Sequence, residues 1–174
     1  MTSMMRANWI DMYCKKTETH LYFWGGSLAN YFNCVFMWNK REFKSVAQAY
    51  AYAKAVTFDK SYIPTILEQL SAQKAEEIGR KIPSFDEKVW SEKRYKVMYD
   101  LLKTKFTNDE WLTQELLSTE DKILVYGVEE DKMWGAGLGF YTNKILDESN
   151  WTGKNLLGQA LMELREELKE KQDE

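Results

Sequence analysis

A chain of 174 residues is long enough to bury its own core, which suggests one domain over residues 1–174. Its net charge of −3 and pI of about 5.4 argue against broad binding to a nucleic-acid backbone and leave room only for a local basic pocket. Two cysteines without metal-ligand spacing and a single histidine argue against a disulfide scaffold, a histidine-based zinc site and a Ser–His–Asp triad.

The first twenty residues lack the apolar segment of a signal peptide, and no run approaches the ~18 apolar residues of a membrane span. A cytoplasmic protein without membrane partners is the expectation. Seven tryptophans and ten tyrosines fill cores, and they also suit a pocket that stacks planar ligands.

In chain order, "THLYFW" at 19–24 is a short aromatic run followed by "GGS", a strand entering a loop. His20 borders that run and reads as structural. "REFKS" at 41–45 predicts a second strand. It ends where "FKSVAQAYAYAKA" at 43–55 begins to alternate five alanines with larger residues. Alternation mimics a strand, but alanine is the best helix former and Ser45 a good N-cap, so a helix starts at about Val46. Ala47, Tyr50, Ala51 and Lys54 then share one face, at i, i+3, i+4 and i+7.

"SFDEKVWSEKRYKVMYDLLKTKF" at 84–106 predicts a helix opened by a Ser84/Glu87 capping box, with Val97, Met98, Leu101 and Leu102 on its apolar stripe. Pro83 separates it from the preceding helix. Thr107 and Glu110 form a second box, and "ILVYGV" at 123–128 is the clearest strand. The last helix starts near Asn155 and is apolar at Leu156, Leu157, Ala160, Leu161, Leu164 and Leu168. The predicted class is α+β, helix-rich, with a small β-sheet.

Three stretches combine permissive backbone with polar and aromatic groups. In "FWGGSLANYF" two glycines adjoin Trp24, Asn30 and Tyr31. In "DKMWGAGLGF" Asp131 precedes Trp134 and Gly135, but the glycine spacing is not a dinucleotide fingerprint. In "NWTGKNLLGQALMELR" Asn155 could bind a phosphate or ribose hydroxyl at a helix start, or simply cap it. Arg80, and Trp90 with Arg94 at i, i+4, complete the set; each arginine alone is more often a surface residue than a ligand clamp.

"SLANYF", "SVAQAYAYAKA", "IGRK", "WSEKRYKVMYDLLKTKF", "LVYGVEEDKMWGAGLG" and "NLLGQALMELR", in this order, resemble the NADAR superfamily from about Tyr22 to Arg165. This is the riboflavin-intermediate N-glycosidase-like (YbiA-like) group, named for a proposed link to NAD and ADP-ribose. The most specific matches are D-x-x-W-G at Asp131–Gly135 and N-x-L-G-x-x-L-M-x-x-R at Asn155–Arg165.

Where members read S-V-E-Q or T-S-E-H, this chain reads Ser45-Val46-Ala47-Gln48, so Ala47 stands in the place of the family's catalytic glutamate. Lys54 matches the family lysine and Tyr50 its aromatic. Asn30, Arg80, Trp90, Arg94, Asp131, Trp134 and Asn155 fall on matching positions. Ala29 replaces a serine, and Tyr126 stands where many members have a glutamate. Three readings of Ala47 are open: a deliberate Glu-to-Ala change that traps ligand, a natural loss of activity, or a member that uses another base. The otherwise intact motif favours the first.

The resemblance implies hydrolysis of a C1′–N glycosidic bond through an oxocarbenium-like ribosyl cation, which needs a carboxylate as general base and electrostatic partner. Position 47 would supply it, Lys54 would orient it or bind phosphate, and Asp131 would be the second acid. Trp90 and Trp134 would stack on the base or close the pocket, and Arg80, Arg94 and Asn155 would hold phosphate and ribose. Trp24, Asn30, Tyr50 and Gly135 would be further substrate-binding residues. No metal or redox cofactor is required. The expected partner is a small phosphorylated ribosyl substrate or an ADP-ribosylated nucleobase. ADP-ribosyl or NAD-related compounds are favoured over riboflavin intermediates, and a non-catalytic nucleotide-binding module is the alternative from another class.

Overall fold

A computed structural model describes residues 12–172, which fall into two compact units. One comprises the described residues up to Ala29 together with those from Trp111 onward; the other is the continuous stretch Asn30–Glu110.

The first unit holds a three-stranded sheet of β1 (Cys14–Lys16), β2 (His20–Phe23) and β5 (Ile123–Tyr126), in the order β1-β2-β5. β2 pairs antiparallel with β1 and parallel with β5, setting Leu21 against Leu124 and Tyr22 against Val125. The central position of β2 explains its run of buried Leu21, Tyr22 and Phe23, since a strand paired on both edges and covered on both faces is apolar throughout. The last helix, Leu156–Gln172, lies on β5 and buries Leu157, Leu161, Leu164 and Leu168. Beside the sheet, Tyr22, Val125, Ala136 and Ile145 form a core cluster that Leu138, Phe140 and Trp151 cover.

In the second unit a hairpin of β3 (Phe36–Trp38) and β4 (Arg41–Phe43) leads into helix α1 (Val46–Phe58). Asn39 and Lys40 both have positive φ, as a two-residue hairpin turn requires. Next come α2 (Ile63–Leu67), α3 (Ala72–Arg80), α4 (Glu87–Ser91) and α5 (Arg94–Thr107), with α1 packed against α2, α3 and α5. That central position accounts for the alternating alanines: Ala47, Ala49, Ala51, Ala53 and Ala55 are all buried, because α1 has neighbours on several sides. Small residues let the helices close up. A Cβ on Gly79 would sit 2.9 Å from the Ala51 Cβ, so α1 and α3 meet where neither carries a larger side chain.

Ser45 caps α1 as expected, its Oγ accepting from the Gln48 amide at 3.1 Å. The Gln48 carboxamide reaches back to the Lys44 amide at 2.9 Å and donates to the Ile66 and Gln69 carbonyls, which ties α1 to the end of α2.

Three expectations need correction. The single sheet is two small sheets, one in each unit. The helix predicted from Ser84 starts at Glu87 and breaks after Ser91. Its cap is Asp86, which accepts from the Val89 amide at 3.1 Å, and this leaves Phe85 outside the helix to pack edge-on against Phe58. Thr107 ends α5 and donates back to the Lys103 carbonyl, so it does not cap α6 (Glu110–Leu117). In this numbering the last helix is α7. Among the described residues no helix is long and apolar enough to cross a membrane.

Candidate active site

The face of α1 singled out by spacing holds a caged lysine. Lys54 Nζ lies 5.2 Å from the Phe85 ring centre, 5.6 Å from that of Tyr50 and 6.0 Å from that of Trp90. Tyr50 and Trp90 meet nearly edge to face at 5.2 Å, and the indole N–H donates to the Tyr50 hydroxyl at 2.9 Å. Trp90 is 2% exposed, so it walls the cage and offers no open face for stacking. Burial pushes the Lys54 pKa below its ordinary value; Arg80 and Arg94 push it the same way, against Glu76 and Glu87. Ring faces stabilise the cation that burial disfavours.

Two further expected residues, Arg80 and Arg94, bring charge within reach of this lysine, and a third, Asn30, meets α1 at Ala47. Arg94, at the start of α5, is 8% exposed and pairs with Glu87, but its buried Nε has no hydrogen-bond partner among the described residues. Arg80, on α3, is clamped to Glu76 through Nη2 at 2.6 Å and Nε at 3.2 Å. Asn30 is tied to α1, because its carbonyl accepts from the Ala47 amide at 3.0 Å. Its side-chain Oδ1 is buried and, among the described residues, lacks a donor. Buried polar atoms are nearly always paired, so one orphan donor and one orphan acceptor on expected ligand-binding residues are informative.

Position 47 presents a methyl group, 6% exposed. The carboxylates whose charge reaches Lys54 are Glu76 and Glu87, neither anticipated from sequence. The Tyr31 hydroxyl donates to Glu76 Oε2. The one signal in the sequence that could have found Glu76 is its i, i+4 spacing to Arg80. A cleft of about 300 Å³ elsewhere in this unit, lined by Ser61, Tyr62, Thr65, Ile78 and Lys81, contains none of these side chains.

The remaining expected residues belong to the first unit, where they shape backbone. Trp24 is 39% exposed and leans on Tyr13 at 5.2 Å and Tyr141 at 6.3 Å. Asp131 Oδ1 accepts from the Met133 amide at 3.0 Å and the Trp134 amide at 2.7 Å, the turn that Asx side chains make. Gly135 must be glycine, since a Cβ there would lie 2.8 Å from the Asp131 carbonyl oxygen and 3.0 Å from that of Tyr126. Asn155, 4% exposed and at φ 50°, uses both ends of its amide on β5: Oδ1 accepts from the Tyr126 amide at 3.0 Å and Nδ2 donates to the Leu124 carbonyl at 2.9 Å. Both ends of the Asn155 amide thus clamp the start of the last helix to β5.

The chain is 32% identical over 133 residues to an N-glycosidase of Acanthamoeba polyphaga mimivirus, covering 74% of this chain and 78% of that one. It is 34% identical over 118 residues to N-glycosidase YbiA of Escherichia coli (strain K12), 67% of either chain. The NMR structure of E. coli YbiA superposes with a TM-score of 0.75 and 26% identity, over 95% of this chain and 94% of that one. Maize riboflavin biosynthesis protein PYRR, chloroplastic, is 32% identical over 132 residues, 71% of this chain and 19% of its own length. The NADAR domain model matches residues 10–169, across both units, and the chain belongs to the NADAR domain family.

Proposed function

We propose that the chain is an N-glycosidase that hydrolyses the C1′–N bond of a phosphorylated ribosyl compound. The observation that carries this reading is the pair of orphan atoms, one on Arg94, whose charge reaches Lys54, and one on Asn30, which meets α1 at Ala47. The Arg94 Nε–H suits a phosphate oxygen, and the Asn30 Oδ1 suits a ribose hydroxyl. The N-glycosidase names of the mimiviral and E. coli relatives support it.

In the reaction, water oxygen bonds to C1′ as the C1′–N electron pair leaves with the base. One water proton goes to a carboxylate, and the released base gains a proton on nitrogen. The Lys54 ammonium, held by its aromatic walls, fixes phosphate and completes a group of three cations with Arg80 and Arg94. Three cations suit more than one phosphate, which favours ADP-ribosyl or NAD-related substrates. The name of the maize relative favours riboflavin intermediates as the second choice. Ala47 favours a third reading, a nucleotide-binding module without turnover.

The test follows free base by chromatography with mass detection, using NAD, ADP-ribosylated guanosine and ribosylaminopyrimidine phosphates. A carboxylate placed by Ala47→Glu is expected to raise turnover by about 10²- to 10⁴-fold, the usual contribution of a general base. Binding without base release by either form would replace the enzyme with the binding module.

A further inference from the structure

We infer that Glu76, on α3, is the carboxylate through which this chain turns over substrate in the absence of one on α1. The inference rests on the N-glycosidase reading and adds a catalytic residue to it. Helix α1 carries no acidic side chain along Val46–Phe58. A replacement must come from a neighbour, and α3 packs directly on α1, at Gly79 against Ala51. Glu76 lies one turn before Gly79 and so points from the same side of α3.

Its contacts link it to the stretch that meets α1 at Ala47. Tyr31, which donates to Glu76 Oε2, directly follows Asn30, whose carbonyl receives the Ala47 amide. Arg80 holds Oε1 through two nitrogens. The carboxylate is thereby fixed by donors on both oxygens, and Oε2, which takes a single donor, keeps a lone pair for a water or a ribose hydroxyl. The side chain is 30% exposed, open to substrate and water. Lys54 feels its charge, with Glu76 ranking first among the groups that hold the ammonium charged. Glu87, the other carboxylate acting on Lys54, is 63% exposed and paired with Arg94, which leaves Glu76 as the sheltered one.

In the step assigned to it, Glu76 accepts one proton of the attacking water while the water oxygen bonds to C1′. The C1′–N bond breaks toward the base, which takes up a proton from solvent.

The experiment measures kcat and KM for base release by the full chain, Glu76→Gln and Glu76→Ala, each with and without Ala47→Glu, on the substrate that the A47E form cleaves fastest. Glu76→Gln keeps the shape and one oxygen to accept from Arg80, and its Nε2 can donate to the Tyr31 hydroxyl instead. It should lower kcat of the otherwise unchanged chain by about a hundredfold with KM within about threefold. Formate should partly restore Glu76→Ala, a rescue that a merely structural role would not show. With Ala47→Glu present, Glu76→Gln should lower kcat less than tenfold. Equal kcat for the chain and Glu76→Gln would overturn the inference. So would the same loss in both backgrounds, or an A47E form that is active beside a chain without measurable turnover. Absence of base release from every form would overturn the N-glycosidase reading, and this inference with it.

Discussion

At the scale of single residues, the two lysines that burial perturbs behave differently. Lys54 is caged but half open, whereas Lys105 is 1% exposed, with its Nζ 4.8 Å from the Phe106 ring centre and 5.4 Å from that of Phe32. Burial lowers the Lys105 pKa from 10.5 to about 8, with Cys34 opposing. The unfolded chain therefore binds more protons than the folded one between about pH 8 and 10.5, and stability from this residue rises with pH across that window. Urea titrations of the chain and Lys105→Met at pH 7 and pH 10 should show the chain gaining relative to the variant at the higher pH. A gap that does not change with pH would mean the amine is not desolvated in this way. Trp90→Phe removes the indole donor to Tyr50 and should lower stability by ~1 kcal/mol, measured by the same titration. Spacing alone put Tyr50 and Lys54 together on one face. It could not supply Phe85, Glu76 or Glu87, because those reach Lys54 from other elements of the chain.

At the scale of elements, local chemistry was legible and its competition was not. Ser45 was readable as the α1 cap because a serine before an alanine run has few other uses, and Ser45→Ala should lower stability by ~1 kcal/mol in thermal melts. Ser84 and Thr107 had equal claims on paper. Asp86 took the first helix start, while Thr107 was absorbed into the last turn of α5, choices decided by where Phe85 packs and how far α5 extends. β1 and β3 went unforeseen because three-residue strands are too short to show a period. The α1–α3 contact makes a sharper prediction. Gly79→Val puts branched carbon where a Cβ already meets Ala51 at 2.9 Å, so it should destabilise by ~1–3 kcal/mol despite the better intrinsic helix propensity of valine. Unchanged stability would mean the helices separate freely.

At the scale of the molecule, the helix-rich α+β class and the family were legible from ordered motifs, and the family match and YbiA superposition bear them out. The motifs were legible for different physical reasons. D-x-x-W-G and Asn155 serve a backbone turn and a helix-to-strand clamp, whereas Asn30 and Arg94 carry buried polar atoms without a partner among the described residues. The last group carries the proposed chemistry. Its most direct test is steady-state base release by the Ala47→Glu form with and without Arg94→Met, a change that keeps side-chain bulk and removes the orphan donor. The account predicts a KM raised at least tenfold at similar kcat, the signature of a lost phosphate contact. Identical KM and kcat in the two forms would contradict it and move the site away from Arg94.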